Sequence, residues 1–353
     1  MDQEQNKLKR DPFQMHRLAL RPFLQDKKLF NLDAALQEAE VTGLDNFQAF
    51  IQGQGLAPLW HGVLATIHPL PSRFNPMLEK LHLAKVNAVA NYLLQKHTIE
   101  KIHTVFTSAE ITYTVFKGTQ VRELVYAEPA LRPASDIDIL VNGHSRDRAI
   151  QVLGRAVMQE VVTPENLSHE STFMDNTVQI DLHWHILRPG RLRHGMTATL
   201  LNKPQWMNGF YGLNDNATLF VLLVHPAFAK YVCSPYATLN RVVDLYRWIQ
   251  QRPCDWDKMV EVTDQAGVKT AAWGTLYWLY LLTQDAALPD ILRKFQPGVF
   301  RQRYMGYWIE HNLPARWIQR RQLLRFGFTL GLHDDVGGML RFLLSNVKVM
   351  FDD

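Results

Sequence analysis

Cysteine is almost missing from this chain: only Cys233 and Cys254 occur in 353 residues, with no Cys-x-x-Cys spacing. That scarcity excludes a disulfide framework and a cysteine-based zinc site, and it fits a reducing compartment, the cytoplasm. Also lacking is an apolar run of bilayer length. The longest, Ala217 to Ala229 and Ala271 to Thr283, fall short of the roughly 20 residues needed to span, and His225-Pro226 interrupts the first. Both read as buried helices. The opening MDQEQNKLKRD carries acids and no apolar stretch of the kind a signal peptide needs. No internal repeat and no low-complexity linker divides the chain.

A strong excess of one charge is absent as well. Lys and Arg number 38 against 34 Asp and Glu, a formal +4 with His neutral, which is mild for this length and does not mark the whole chain as a polyanion binder. One segment departs from the balance. Residues 293–325 carry eight bases (Arg293, Lys294, Arg301, Arg303, Arg316, Arg320, Arg321, Arg325) against the single acid Glu310, with Tyr304, Tyr307, Trp308 and Trp317 among them. Such a stretch can meet nucleic acid, an anionic membrane surface or an acidic partner. A solvated helix face beside a buried aromatic one explains it equally well and is the reading favoured here, because nothing links these arginines to the acidic motif below.

What the chain does contain is ample apolar material, 47% hydrophobic and 11% aromatic, enough for a sizeable core and two or three subdomains. Within it lies Leu131 to Val141, LRPASDIDILV. In a strand, side chains alternate faces, so Asp136 and Asp138 share one face while Ile137, Ile139 and Val141 pack on the other. A solvated strand with two aspartates on its polar face would produce the same pattern. Adjacent carboxylates repel, however, and a divalent ion between them relieves the repulsion; oxygen ligands on a strand suit Mg²⁺ or Mn²⁺. A second alternating segment, TVQIDLHW at Thr177 to Trp184, sets Gln179, Asp181 and His183 on one face and Val178, Ile180 and Leu182 on the other. Should the two strands be neighbours, Asp181 joins Asp136 and Asp138, and three carboxylates can hold two metals and handle the proton of an attacking group.

Upstream, Ile111 to Phe116 reads as a strand that stops at Lys117-Gly118-Thr119 before a helix over Gln120 to Tyr126. Glycine at such a junction lets a phosphate approach backbone N–H groups at the positive end of a helix, with Lys117 adding charge; an ordinary turn is the plainer reading. The histidines His183 and His185 could ligate a transition metal, although His183 fits better as a cleft residue beside Asp181 or against substrate. Farther on, Arg241 and Asp244 lie three apart on a helical segment, either as a surface ion pair or as contacts to nucleotide or acceptor.

Residues 1–110 are expected to form an N-terminal helical region, with breaks at Gly53 to Gly55 and Pro69 to Pro76, and with Leu78, Leu81, Val86, Val89, Leu93 and Leu94 at helical spacing. Residues 111–187 form a small α/β module, 188–295 a helical domain making the other cleft wall, and 296–353 a basic and amphipathic extension. Everything beyond Arg188-Pro189-Gly190 reads as helix. The fold class is α+β, a small mixed-sheet module embedded in a mostly helical protein.

The order FKGTQVRELVYAEPALRPASDIDILV followed by DLHW resembles the nucleotidyltransferase superfamily of DNA polymerase β. It resembles more closely the uncharacterised bacterial nucleotidyltransferase family 5, in Lys117-Gly118, Arg132-Pro133, Asp136, Asp138 and Asp181 to Trp184. The likeness continues through LVHPAFAK (Leu223 to Lys230), LNRVVDLYRWI (Leu239 to Ile249) and DWDKM (Asp255 to Met259), about Leu29 to Phe295 in all. It implies metal-dependent transfer of a nucleoside monophosphate from an NTP, ATP foremost, to an acceptor not readable from sequence, with Asp136, Asp138 and Asp181 as catalytic metal ligands. Lys117, Gly118, Thr119, Arg132 and Ser135 are then the nucleotide-binding residues, and His183, Arg241 and Asp244 possible substrate contacts. The wider superfamily has Gly-Ser at the strand-to-helix turn; here Lys117-Gly118 stands there, and Thr119 is the nearest hydroxyl. A protein that keeps the fold to bind nucleotide or a partner without turnover is the alternative.

Overall fold

Alternation decides the sheet. Ile137, Ile139 and Val141 from one strand and Val178, Ile180 and Leu182 from another are buried together in a single core on one face. The computed structural model describes residues 11–24, 32–156, 158–161, 169–318 and 322–351. The strands are β1 (Tyr113–Phe116), β2 (Asp136–Val141), β3 (Gln159–Val161), β4 (Glu170–Asp175), β5 (Val178–His183), β6 (Gln205–Met207) and β7 (Phe210–Gly212). They form one mixed sheet in the order β3-β4-β5-β2-β1-β7-β6. Within it β2 is antiparallel to β1 and parallel to β5, and β5 is antiparallel to β4.

Helices build the rest. Before the sheet come α1 (Gln14–Leu24), α2 (Leu32–Thr42), α3 (Leu44–Gly53), α4 (Ala57–Leu64) and the long α5 (Asn75–Ser108). Then α6 (Lys117–Val125) follows β1 and α7 (Arg146–Arg155) follows β2. Between β5 and β6 lies α8 (Thr197–Leu200), and after the sheet come α9 (Asp215–Lys230), α10 (Leu239–Gln251), α11 (Trp256–Ala266) and α12 (Lys269–Thr283). The two apolar runs fall in α9 and α12, which pack on each other at the centre of the helical core. A helix apolar on all sides has to be enclosed, and no helix among the described residues is long and apolar enough to cross a membrane. Both cysteines are free, Cys233 being buried.

The aliphatic face of the sheet is covered by α5, through Ile99, Ile102 and Phe106, and by α7, through Ala149 and Leu153. Its other face turns toward the helical core, which Phe116 and Leu140 join together with α9 and α10. The N-terminal helices brace α10. Gln54 accepts from the Leu239 N–H through its side chain (3.0 Å) and from the Asn240 N–H through its carbonyl (3.2 Å). One buried ion pair ties sheet to helices: Arg132, just before β2, meets Asp244 of α10 at 2.5 Å, and Tyr126 donates to the same carboxylate at 2.8 Å.

The structure departs from the sequence reading in two places. The sheet is larger, because β3 and β4 add to one side and the hairpin β6–β7, past the point where helix was expected throughout, extends the β1 edge. On α5 the helical period holds but its buried face differs: Leu81 is buried while Val86, Leu93 and Leu94 are exposed. The residues nearest the sheet there are Gln95, Thr98, Ile99 and Ile102, two of them polar and engaged with Ala134 and Asp175. In the basic segment, Arg293 pairs with Asp290, Lys294 with Asp257, and Arg325 donates to the Ile318 carbonyl; Arg320 and Arg321 lie outside the described residues.

Removing one partner of a buried ion pair leaves an uncompensated charge, at a cost of about 3–5 kcal/mol. Asp244→Ala should therefore lower the denaturation midpoint in urea far more than Arg132→Met combined with Asp244→Leu. Equal losses in the single and double variants, measured by tryptophan fluorescence, would show that the pair does not hold the two halves together.

Candidate functional site

Strand register assembles the site. Parallel pairing of β2 with β5 puts Asp138 opposite Asp181, and antiparallel pairing of β5 with β4 puts Thr172 opposite Asp181 and Glu170 opposite His183. All point away from the aliphatic core, because paired residues share a face. Ligand atoms of Asp138, Asp181 and His183 lie within 4.8 Å of one another, and Asp136 is two residues before Asp138 on that face. Carboxylates gathered this closely, with an imidazole at their edge, are a donor set suited to a divalent ion.

Asp138 is buried and heavily partnered. Its Oδ1 accepts from Lys117 Nζ at 2.7 Å and lies 2.8 Å from His183 Nε2. His183 Nδ1 is 2.9 Å from Glu170 Oε2, which in turn is 3.3 Å from His169 Nε2. Burial disfavours the charged forms, but Lys117 and His183 outweigh it and hold the Asp138 carboxyl well below the usual carboxylate range. Glu170 is lowered in the same way, the bonds from His169 and His183 overcoming burial. For His183, burial and Lys117 oppose protonation, yet the bonds to Asp138 and Glu170 prevail and raise its pKa. Asp136 has no such side-chain hydrogen bond among the described residues, and burial followed by repulsion from Asp138 raises it against the pull of Lys117. Asp181 is fixed by Thr172 Oγ1 at 2.9 Å and Gln179 Nε2 at 3.1 Å, both donating to Oδ1.

The strand-to-helix turn is filled from within. Lys117 is the first residue of α6, in the left-handed region at φ 55°, and its ammonium goes to Asp138. A methyl group on Gly118 would collide with the Arg132 guanidinium, so glycine here admits that side chain. Thr119 Oγ1 donates to the Asp136 carbonyl at 3.0 Å, and Ser135 is exposed before β2. Arg241 and Asp244 do not pair with each other. Asp244 is buried against Arg132 and Tyr126, whereas Arg241 is half-buried, its Nε buried with no hydrogen-bond partner among the described residues. His185 is exposed past the end of β5 and does not join His183; Trp184 is buried under the Arg146 guanidinium.

Sequence reasoning missed Glu170, Thr172, His225 and Lys230. The first two lie on β4, whose polar sequence gave no strand signal, and the others sit in the apolar run of α9, where only their polarity among aliphatic neighbours marks them.

The cluster has a pH signature in metal-free buffer. Asp138 and Glu170, lowered in the folded chain, stabilise it above the ordinary carboxylate range, and that contribution is lost as pH falls through it. His183, raised, stabilises the fold below its unfolded pKa of about 6.5, and the contribution is lost as pH rises past its folded value. Asp136, raised, opposes the acid-side trend. The melting temperature with EDTA should peak between those limits, and Glu170→Gln should lower the peak and flatten its acid side. A Glu170→Gln profile parallel to wild type would rule out the coupling.

No curated protein matches the chain. The model of a family described as an uncharacterised nucleotidyltransferase matches residues 41–283, a span that includes every site residue named above. Running from α2 through α12, it covers more than half of the chain, so this protein belongs to that uncharacterised nucleotidyltransferase family.

Proposed function

We propose that the chain transfers a nucleoside monophosphate from a nucleoside triphosphate, ATP foremost, to a hydroxyl or similar group on a small molecule, a peptide or protein, or RNA. Asp136, Asp138 and Asp181 would hold the divalent ions, Mg²⁺ or Mn²⁺. The observation that carries this reading is the in-register placement of Asp138 beside Asp181 on a buried sheet face. Bound there, the ions would neutralise charge on the phosphates and favour deprotonation of the acceptor.

The acceptor oxygen bonds to the α-phosphorus, the link from that phosphorus to its bridging oxygen breaks, and pyrophosphate leaves with the electron pair. Asp181, held in place by Thr172 and Gln179, takes the acceptor proton. Glu170 and His183 keep Asp138 oriented and ionised. Catalysis of this kind rests on positioning and charge compensation more than on covalent chemistry. Lys117 sets a positive charge on Asp138, and it would have to give way where Asp138 holds an ion.

Incubation with each of the four labelled NTPs and cell extract should release pyrophosphate and label one acceptor. Asp138→Asn should lower that transfer by about 10²-fold or more, the scale seen when one preorganised electrostatic group is lost. Undiminished transfer in Asp138→Asn would remove it from the mechanism, and nucleotide binding without pyrophosphate release from any NTP would favour a binding protein.

Competition between Lys117 and the metal can be weighed without knowing the acceptor. Lys117→Met should bind Mn²⁺ about tenfold more tightly than wild type by calorimetry, equivalent to roughly 1.4 kcal/mol, since no ammonium has to leave Asp138. Weaker Mn²⁺ binding in the variant would mean that Lys117 supports the ion instead of standing in for it.

A further inference from the structure

Protein side chains crowd the turn expected to cradle phosphates. Arg132 occupies the space beside Gly118, Thr119 is bonded to the backbone of β2, and Arg132 itself is neutralised by Asp244. A triphosphate donor therefore needs its cations elsewhere around the carboxylates, and two helices supply them. Arg241 lies one turn before Asp244 on α10, which packs against α6 and α9. Lys230 is the last residue of α9 and half-buried. Among the described residues neither side chain has an ion-pair or hydrogen-bond partner, and Arg241 Nε is buried in that state.

Long cations half-buried without partners are costly unless something anionic arrives. Both feel the carboxylates of the sheet: after burial, repulsion from Arg241 and Lys117 lowers the Lys230 pKa, and Arg132 lowers that of Arg241, while Asp136 and Asp138 act on both in the opposite direction. His225, five residues before Lys230 on α9 and buried, feels Lys117, Arg241 and Lys230 together and is held well below its ordinary pKa by burial first and those charges next. A neutral imidazole can donate or accept a hydrogen bond without adding repulsion.

We propose that Lys230 and Arg241, with the buried His225 on the same helix as Lys230, form the pocket for the β- and γ-phosphates of the nucleotide and for the pyrophosphate that leaves. The inference rests on the nucleotidyl-transfer reading for its ligand but not for its site. Three cations (Lys117, Lys230, Arg241) and three aspartates (Asp136, Asp138, Asp181) leave the cleft near neutral, so the ions bound by the aspartates turn it into a receptor for a polyanion. Lys230 and Arg241 then stand on the helical side of that receptor, where pyrophosphate can be held while the α-phosphorus stays beside the sheet.

The test uses the full chain with inorganic pyrophosphate and with tripolyphosphate, in Mg²⁺, by calorimetry. Wild type should bind both. Lys230→Gln and Arg241→Gln should each weaken binding about tenfold or more, as expected on losing a charge-assisted hydrogen bond, and Arg241→Lys should recover part of it. KM for the NTP should rise in step, while Mn²⁺ affinity without phosphate stays unchanged, which a merely structural loss would not produce. Absence of pyrophosphate binding by wild type, or full affinity in both Gln variants with unchanged melting temperature, would overturn the inference. Pyrophosphate binding that depends on both residues, in a protein that transfers nothing from any NTP, would support the pocket and sink only the transferase reading.

Discussion

Like charges stacked in register are the constraint around which this protein is built. Neighbouring strands are about 4.8 Å apart, and the parallel pairing of β2 with β5 sets Asp138 and Asp181 at that separation on a face enclosed by helices. An apolar pair would make a more stable core, because buried carboxylates forfeit hydration that only well-placed counter-charges offset. The surroundings are such counter-charges. Lys117 from α6 and His183 from β5 both meet Asp138, and Glu170 from β4, a further carboxylate, holds the other ring nitrogen of His183.

Arg132 explains why the strand-to-helix junction reads Lys-Gly. Its guanidinium passes from the segment before β2, over the space that any larger side chain at position 118 would fill, to Asp244 on α10. The glycine thus serves a protein cation. That bond ties the segment before β2 to the helix carrying Arg241. Burial opposes the charge on Arg132, but Asp244 more than compensates and raises its pKa, as expected for a pair whose geometry satisfies both partners.

Much of this was legible in the sequence, where the legible signal was periodic. Alternation in β2 and β5 is strict, so the face that carries Asp136, Asp138 and Asp181 follows from spacing, and the apolar runs of α9 and α12 announce enclosed helices. The hairpin β6–β7 was also within reach, since Asn208-Gly209 between Met207 and Phe210 is a strong turn signal. Tertiary partners were not. Asp244 sits three residues from Arg241, an ordinary helical pair by spacing, yet the partner it takes is Arg132, 112 residues away. Glu170 and Thr172 acquire meaning only through the β4–β5 register. On α5 the apolar period misled, because Gln95 and Thr98 face the sheet in order to bond its loops.

The position of Lys117 also bears on how ligands would depend on one another. With its ammonium 2.7 Å from Asp138 and 3.3 Å from His183, this residue neutralises the carboxylate in the absence of an ion. On the proposed reading, an ion held by Asp138 would free a cation beside Arg241 and Lys230, and the freed ammonium would lower the cost of a nearby phosphate. Binding free energies are reciprocal, so a phosphate that draws Lys117 away from Asp138 raises metal affinity by the same factor. Metal and polyphosphate would then enter as a pair, each weak alone. Lys117 would be the residue that couples them, which gives the Lys-Gly sequence a consequence for order of binding as well as for shape.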